Sequence, residues 1–358
     1  MGIIRIPIGK VKNSMVAGAD ILSCGKVLVR RNDRLTKSII NALKYNGFTS
    51  VPVLVKELNR DYNLEDYYGA LDEKCSAREI KRLNKDFKQQ VNNLKSQLNS
   101  LLKGNEKTII EDLLNNIKTI TNKADSPYKL FEVMRSMKDY DDSTYVHSLN
   151  VALVGMVLAD WVNIPAEEVY NVALAGMLHD IGKTLIPKEI LNKPGRLTKE
   201  EFEVIKKHPL LGYNLIKDLD INEGVKLAVL QHHEKCDGSG YPYGLKSKEI
   251  NDVSKIITIA DIYDAMTSAR CYREPICPFE VLQNFEEDGV KKYEARFLFP
   301  FFKGIVQTYL NRHVKLSDGE IGEVVMIHNH DITRPLVRTQ NRFIDLSIDR
   351  NIKIKDII

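Results

Sequence analysis

The sequence lacks long apolar runs, paired cysteines and a large excess of one charge. Each of these absences excludes a class of protein. No apolar stretch approaches the roughly 20 residues that a membrane-spanning helix needs, so we expect no membrane span. The N-terminus also lacks the apolar core of a signal peptide, which favours a cytoplasmic location. The five cysteines contain no Cys-x-x-Cys pair, which argues against a disulfide framework and a zinc ribbon.

The charge of the chain is nearly balanced. Its 52 Lys and Arg residues exceed its 48 Asp and Glu residues by only four, so the formal net charge is +4 over 358 residues. This small excess does not indicate a nucleic-acid-binding surface, and we expect no nucleic-acid partner. The hydrophobic fraction of 43% is ordinary for a globular protein. The length predicts one large domain with smaller modules.

Shifts in composition predict four regions. Residues 1–60 combine short strands with one helix and form a small α/β module. Residues 61–124 form a charged helical linker region, residues 125–312 a helical domain that holds the chemistry, and residues 313–358 a small β-rich appendage. The amphipathic pattern within residues 77–121 favours a helical hairpin. Its apolar stripe suits a homodimer, a signalling protein partner or packing within the chain, and the sequence leaves these alternatives open.

The chemistry centres on His179 and Asp180. They end an apolar run, Val169 to Leu178, that predicts a buried helix. A buried carboxylate beside an imidazole is expensive unless a cation compensates it, so the pair favours a metal site. Lys183 follows after a turn at Gly182 and places a positive charge where a phosphate can bind. The alternative is a core histidine beside a helix-capping aspartate.

Further histidines and aspartates strengthen the metal hypothesis. Seven residues near helix ends are candidate metal ligands: His147, His179, Asp180, His208, His232, His233 and Asp261. Imidazole and carboxylate together suit iron, manganese, zinc or nickel. One ion needs about four to six ligands, so seven predict at least two ions that share Asp180. Each histidine alone is equally consistent with core packing, but the whole set is not.

The order of these motifs resembles the HD-GYP family of the HD phosphohydrolase superfamily, over about residues 142–310. The resemblance rests on His147-Ser148, Ala175-Gly-Met-Leu-His-Asp-Ile-Gly-Lys183, His208-Pro209, His232-His233-Glu234, Asp237-Gly-Ser-Gly240-Tyr241-Pro242 and Asp261 through Ala265. It implies a mainly α fold with an all-helical core. It also implies a phosphodiesterase that hydrolyses cyclic di-GMP, and it matches the seven candidate ligands above to the metal ligands of the family.

The resemblance also implies a substrate site. Lys183, Arg270 and Arg273 match residues expected on the nucleotide phosphates, and Gly240, Tyr241 and Pro242 match the signature loop. We expect Asp180 and Lys183 to take part in catalysis. A hydroxide activated by two divalent metals, most simply iron or manganese, would open the ring to pGpG, with GMP as a further product. As an alternative, either arginine forms an ion pair at the surface. Tyr241 either stacks on guanine or packs within its own loop.

Two other functions stay open. The chain is alternatively an HD hydrolase for another nucleotide, such as a cyclic dinucleotide with two different bases. The second alternative is a non-catalytic cyclic di-GMP receptor or docking module. Non-catalytic members of the family usually lose the motifs that this chain keeps.

Other residues bear on the number of metals and on whether the C-terminal histidines take part in the site. Some family members hold a third metal through a Glu four residues before the first His, but Ser143 stands there, so we expect two metals. His313, His328 and His330 lack consistently spaced acidic neighbours, and we expect them to be surface residues.

Overall fold

The computed structural model describes most of the chain and divides it into two compact units, residues 1–76 and 77–358. The described residues are 2–8, 11, 15–18, 20–23, 26–45, 50–55, 77–102, 109–122, 124, 126–137, 143–268, 275–289, 291–328 and 330–358. No helix in these ranges has the length and hydropathy that a membrane crossing requires.

The described residues of the first unit form two antiparallel strand pairs and one helix. Strand β1 (Gly2–Pro7) pairs with β4 (Ser50–Val55), and β2 (Ile21–Ser23) pairs with β3 (Lys26–Val29). Helix α1 (Lys37–Tyr45) lies between β3 and β4 in the sequence. Leu35, Leu43, Val51 and Val53 are buried in a core of their own. The small α/β composition of this segment is as the sequence predicts.

The second unit is mainly helical, which confirms the predicted fold class. Its helices are α2 (Ala77–Leu101), α3 (Ile109–Thr121), α4 (Pro127–Ser136), α5 (Ser143–Trp161), α6 (Ala166–Leu178), α7 (Lys188–Leu191), α8 (Lys199–Ile205), α9 (His208–Ile216), α10 (Glu223–Gln231), α11 (Asp252–Thr267), α12 (Pro278–Asp288) and α13 (Ala295–Thr308). Helices α5, α6 and α11 form its centre. A Cβ added at Gly176 would lie 2.5 Å from the Cα of Ala152, so this glycine lets α5 and α6 pack backbone to backbone.

Helices α2 and α3 form the predicted hairpin, and their apolar stripes face the rest of the same unit. Phe87 and Leu94 of α2 and Leu113 and Ile117 of α3 are fully buried in the core that also contains α5 and α6. Within the chain, packing of an amphipathic face is what stabilises such charged helices. These stripes therefore have a partner in their own unit, and the homodimer through residues 77–121 stays a prediction.

A five-stranded antiparallel sheet follows the last helix. Its strands are β5 (His313–Leu316), β6 (Ile321–Met326), β7 (Leu336–Thr339), β8 (Phe343–Asp345) and β9 (Ile354–Ile357), in the order β8-β7-β6-β5-β9. Buried and more exposed positions alternate along β5 and β6, so one face packs on the helices. A β-rich C-terminus is as predicted, whereas the four domain boundaries stay predictions.

Candidate metal centre

Three histidines of the centre are oriented by the main chain at helix ends. Their Nδ1 atoms lie 2.7 Å (His179), 2.7 Å (His208) and 3.0 Å (His232) from the carbonyl oxygen three residues earlier. The last carbonyls of a helix have no partner within the helix, so they are free to accept these bonds. A carbonyl oxygen only accepts, and Nδ1 therefore carries the proton. The lone pair of each neutral ring is then on Nε2, which is the form that ligates a metal.

Asp180 lies among these Nε2 atoms. Its Oδ2 is 3.3 Å from His179 Nε2 and 3.8 Å from His147 Nε2, while its Oδ1 is 3.3 Å from His208 Nε2 and 3.8 Å from His232 Nε2. The side chain is almost fully buried. The two carboxylate oxygens thus face different histidines, and one residue contacts both halves of the centre.

A second set of carboxylates orients His147 on helix α5. Its Nδ1 lies 2.7 Å from Asp264 Oδ2, and its Nε2 lies 3.0 Å from Asp261 Oδ1. Asn150, one turn further along α5, donates from Nδ2 to Asp264 Oδ1 at 2.8 Å. Asp261 and Asp264 are three residues apart on α11, so both project from the same side of that helix. His233 completes the group, with Nδ1 3.8 Å from Asp261 Oδ2.

The charges of the centre are strongly coupled. Burial lowers the pKa of His147, but its hydrogen bonds to Asp261 and Asp264 outweigh this and raise the pKa to about 9. Burial lowers the pKa of His233 to about 3, against the opposing effect of Asp261. Burial also raises the pKa of Asp180, yet His179 and Lys183 hold it well below the usual range. Asp180 is therefore an anion in a buried site, which favours cation binding.

The geometry fits a metal site. The described residues contain two groups whose ligand atoms lie within 4.8 Å of one another: His147, His179 and Asp180, and Asp180, His208, His232 and His233. His179 Nε2 and Asp180 Oδ1 are buried and have no hydrogen-bond partner among the described residues. A buried polar atom without a partner costs about 1–3 kcal/mol. A cation coordinated by both atoms would remove this cost, so the cluster is able to bind metal.

The turn that contains Lys183 follows helix α6 and packs against helix α9. Lys183 Nζ lies 2.6 Å from Asp180 Oδ2, and its side chain is 25% exposed. A Cβ at Gly182 would collide with the backbone of His208 and would lie 2.5 Å from the amide nitrogen of Gly212. Only glycine allows this close approach, which brings His208 to His179 and Asp180.

The segment 234–246 holds the signature loop beside His233. Glu234 is buried and accepts the backbone N–H groups of Tyr243 at 2.7 Å and Leu245 at 2.9 Å. A Cβ at Gly240 would lie 2.5 Å from the carbonyl oxygen of His233, so glycine is required where the loop crosses that backbone. The Tyr241 ring packs on the His233 ring at a centroid distance of 4.6 Å, and the Tyr241–Pro242 peptide is cis.

Comparison with known proteins now identifies the region. Residues 123–296 match the family model described as HD domain. This part of the chain is an HD domain. The predicted resemblance to the HD-GYP family is thereby confirmed at the level of family, and the site described above lies within the matched residues.

Two curated relatives and one solved structure are similar to the HD domain and its surroundings. A cyclic di-GMP phosphodiesterase of Pseudomonas aeruginosa is 34% identical over 214 residues, which are 59% of this chain and 51% of the relative. A 3'3'-cGAMP-specific phosphodiesterase of Vibrio cholerae is 38% identical over 139 residues, 39% of this chain and 32% of the relative. The chain thus spans about half of the length of the first relative and about a third of the second.

The solved structure is an HDG"Y"P protein from Bdellovibrio bacteriovorus. It has a TM-score of 0.52 at 19% identity and covers 84% of this chain and 98% of its own. At that identity the similarity shows a shared fold.

The structure of the HD domain brings together all seven predicted ligands, although their roles as ligands stay predictions. Lys183 contacts Asp180, Tyr241 and Gly240 lie against His233, and Pro242 follows Tyr241 in the loop. Arg270 and Arg273 lie outside the described residues, as does the side chain of Ser143.

Sequence reasoning missed three residues that hold the HD domain's site in place. Asp264 and Asn150 fix the His147 ring, and Glu234 tethers the loop. Asp264 could have been found from its position one helical turn after Asp261. Glu234 stands in the His232-His233-Glu234 motif, but its role does not follow from that motif, because its partners are backbone groups of residues nine and eleven positions later.

The prediction that the C-terminal histidines are surface residues is wrong for His328. His313 and His330 are exposed. The His328 side chain is only 10% exposed, and its Nε2 lies 2.9 Å from Asp345 Oδ1. The sheet brings the residues after β6 next to the end of β8, a long-range pairing that local sequence does not reveal.

Proposed function

We propose that the HD domain hydrolyses cyclic di-GMP to pGpG, with GMP as a further product. The observation that carries this proposal is the pair of ligand groups joined at Asp180, with His179 Nε2 and Asp180 Oδ1 buried and unpartnered among the described residues. Such a site suits an anionic phosphodiester, and the name of the Pseudomonas relative supports cyclic di-GMP as the substrate.

Two divalent ions, iron or manganese first and zinc or nickel next, would complete the site. His147, His179 and Asp180 would hold one ion, and Asp180, His208, His232 and His233 the other, with Asp261 beside His147 and His233. When bound, the ions would polarise the phosphodiester and lower the pKa of an attacking water. Neutral imidazoles dominate this set, so the ions keep most of their positive charge for the phosphate.

The chain's own residues have separate tasks in this proposal. Asp180 joins the two groups, and Lys183 offsets its charge while remaining one-quarter exposed towards substrate. Tyr241 packs on His233, which fixes the loop beside the centre. Arg270 and Arg273 are proposed to fork onto phosphate oxygens, as guanidinium groups do.

A mixed-base cyclic dinucleotide is the second candidate substrate. The name of the Vibrio cholerae relative, a 3'3'-cGAMP-specific phosphodiesterase, favours this substrate. The two candidates differ by a single purine base. A panel of cyclic di-GMP, 3'3'-cGAMP and cyclic di-AMP separates them directly.

The test measures metal content and hydrolysis together, on protein purified without oxygen and supplied with iron or manganese. About two ions per chain with release of pGpG or GMP supports the proposal. His179→Ala and Asp180→Ala should abolish turnover and retain the helical circular-dichroism spectrum. Bound metal and bound cyclic di-GMP without turnover in the unaltered protein would identify a receptor instead.

The partners outside the active site are also proposals. Gel filtration with light scattering tests the homodimer through residues 77–121. A monomer at micromolar concentration would reject it, in line with the burial of Phe87, Leu94 and Leu113 inside one chain.

A further inference from the structure

A cavity of about 220 Å³ lies next to the candidate metal centre. His233 lines the cavity and also belongs to one of the two ligand groups, so the cavity adjoins the place where a phosphate would bind. Its other walls include Lys235, Ser239, Tyr241, Asp288, Lys292 and Tyr293. Two cations, one carboxylate and two aromatic rings suit a nucleobase attached to a phosphate.

The end of helix α12 presents an ordered set of hydrogen-bonding groups to this cavity. Asp288 Oδ1 lies 2.6 Å from Lys292 Nζ, and Asp288 Oδ2 lies 3.3 Å from the Tyr293 hydroxyl. The carboxylate offers two acceptors, and the neighbouring ammonium offers a donor. Guanine carries the complementary row on its Watson–Crick edge, namely the donors N2–H and N1–H followed by the acceptor O6.

We propose that this cavity receives one guanine base of the substrate, with Asp288 and Lys292 reading its Watson–Crick edge. The inference rests on the proposed function and specifies its base selectivity. Adenine has an acceptor at N1 and a donor at N6, so it would place a lone pair against the carboxylate and a donor against the ammonium. The pair at the end of α12 therefore selects guanine and rejects adenine.

The remaining walls suit the rest of a guanine nucleotide. The Tyr241 ring lines the cavity, and a base can stack on such a ring. Lys235 Nζ lies 5.0 Å from the Tyr293 ring centroid, and no carboxylate of the described residues forms an ion pair with it. This ammonium, on the wall next to His233, is placed for a substrate phosphate.

Backbone hydrogen bonding and core packing hold the walls of the cavity in place. The Cys236 amide donates to the Lys292 carbonyl at 2.9 Å, which ties the two walls together. Tyr293 is buried and packs edge-on against Phe285 of α12 at 5.0 Å. A preformed pocket loses little entropy on binding, as base selectivity requires.

The test compares binding of GMP and AMP to the full chain by calorimetry, before metal is added. Asp288→Asn keeps the shape of the side chain and removes its charge and one acceptor. Glu287→Gln makes the same change at an exposed neighbour that does not line the cavity. We expect the unaltered protein and Glu287→Gln to prefer GMP at least tenfold, and Asp288→Asn to lose most of that preference.

Hydrolysis of cyclic di-GMP and cyclic di-AMP by metal-loaded protein is the second measurement. Asp288→Asn should lower kcat/KM for cyclic di-GMP about tenfold without lowering that for cyclic di-AMP, whereas a purely structural role would lower both equally. Equal binding of GMP and AMP by the unaltered protein, or an undiminished preference in Asp288→Asn, overturns the inference. A GMP preference that depends on Asp288 without any hydrolysis supports it and rejects the proposed function instead.

Discussion

Asp264 Oδ2 lies 2.7 Å from His147 Nδ1 and so holds a ring whose other nitrogen faces Asp261 and Asp180. Asp264 is itself fixed by Asn150 and by the Ser268 hydroxyl, which donates to Oδ1 at 2.9 Å. A carboxylate behind a histidine sets its tautomer and direction. The position of His147 is therefore determined by helix α11, which packs against the helix that carries His147.

We expect Asp264→Asn to weaken metal binding by about 10- to 100-fold while the helical fold remains, because the His147 ring loses its charged partner. Titration of iron or manganese into ion-free protein measures the change. Asp220→Asn, at an exposed position outside the centre, is the matched control and should bind metal normally. Equal affinity in the two variants would show that Asp264 does not position His147.

Glu234→Gln should loosen the signature loop. The buried carboxylate accepts two backbone N–H groups, from Tyr243 and Leu245, whereas an amide has only one oxygen and brings two donors of its own. A loss of about 1–3 kcal/mol of unfolding free energy is expected. Hydrogen exchange read by mass spectrometry should accelerate at residues 240–246. The exposed Glu189→Gln should leave that segment unchanged.

Gly182→Ala should destabilise the protein and lower its metal affinity together. The added carbon would collide with the backbone of His208 and Gly212, which cannot move without shifting a candidate ligand. Gly195→Ala separates this clash from simple backbone strain, since φ there is +102° and no atom lies within 4 Å of the added carbon. It should cost about 1–2 kcal/mol and leave metal binding intact. Thermal melts with and without metal test both expectations.

Cys277 should resist alkylation in the folded protein. Burial raises the pKa of its thiol to about 12, so at pH 8 almost none is the reactive thiolate. Iodoacetamide labelling of the Cys277 peptide, followed by mass spectrometry, should become fast only in denaturant. Since the folded thiol has the higher pKa, its contribution to stability is present below about pH 8.5 and is lost as the pH rises towards 12. Rapid labelling without denaturant would contradict the burial of this residue.

The sequence predicted the position of His179, His208 and His232 at helix ends because each of them is marked locally. His179 and His232 cap helices, and His208 begins one, so periodicity alone placed them at helix ends. The spacing of apolar residues likewise predicted the hairpin of α2 and α3. The supporting contacts were harder to predict. Glu234 binds main-chain groups of a distant turn, and His328 meets Asp345 through strand order, so neither follows from neighbouring residues.

His179, His208 and His232 are oriented by hydrogen bonds to backbone carbonyl oxygens. The centre should therefore tolerate substitutions near these residues better than insertions or deletions. The groups that orient these rings belong to the peptide backbone, so many substitutions at residues 205 and 229 would preserve the hydrogen bonds. Gly176 is the exception, because the close packing of α5 on α6 leaves no room for a Cβ there. An insertion or deletion inside those last turns would instead rotate each ring by about 100° per residue. Lineages of this domain can therefore diverge in composition at the helix ends while the lengths of those ends stay fixed.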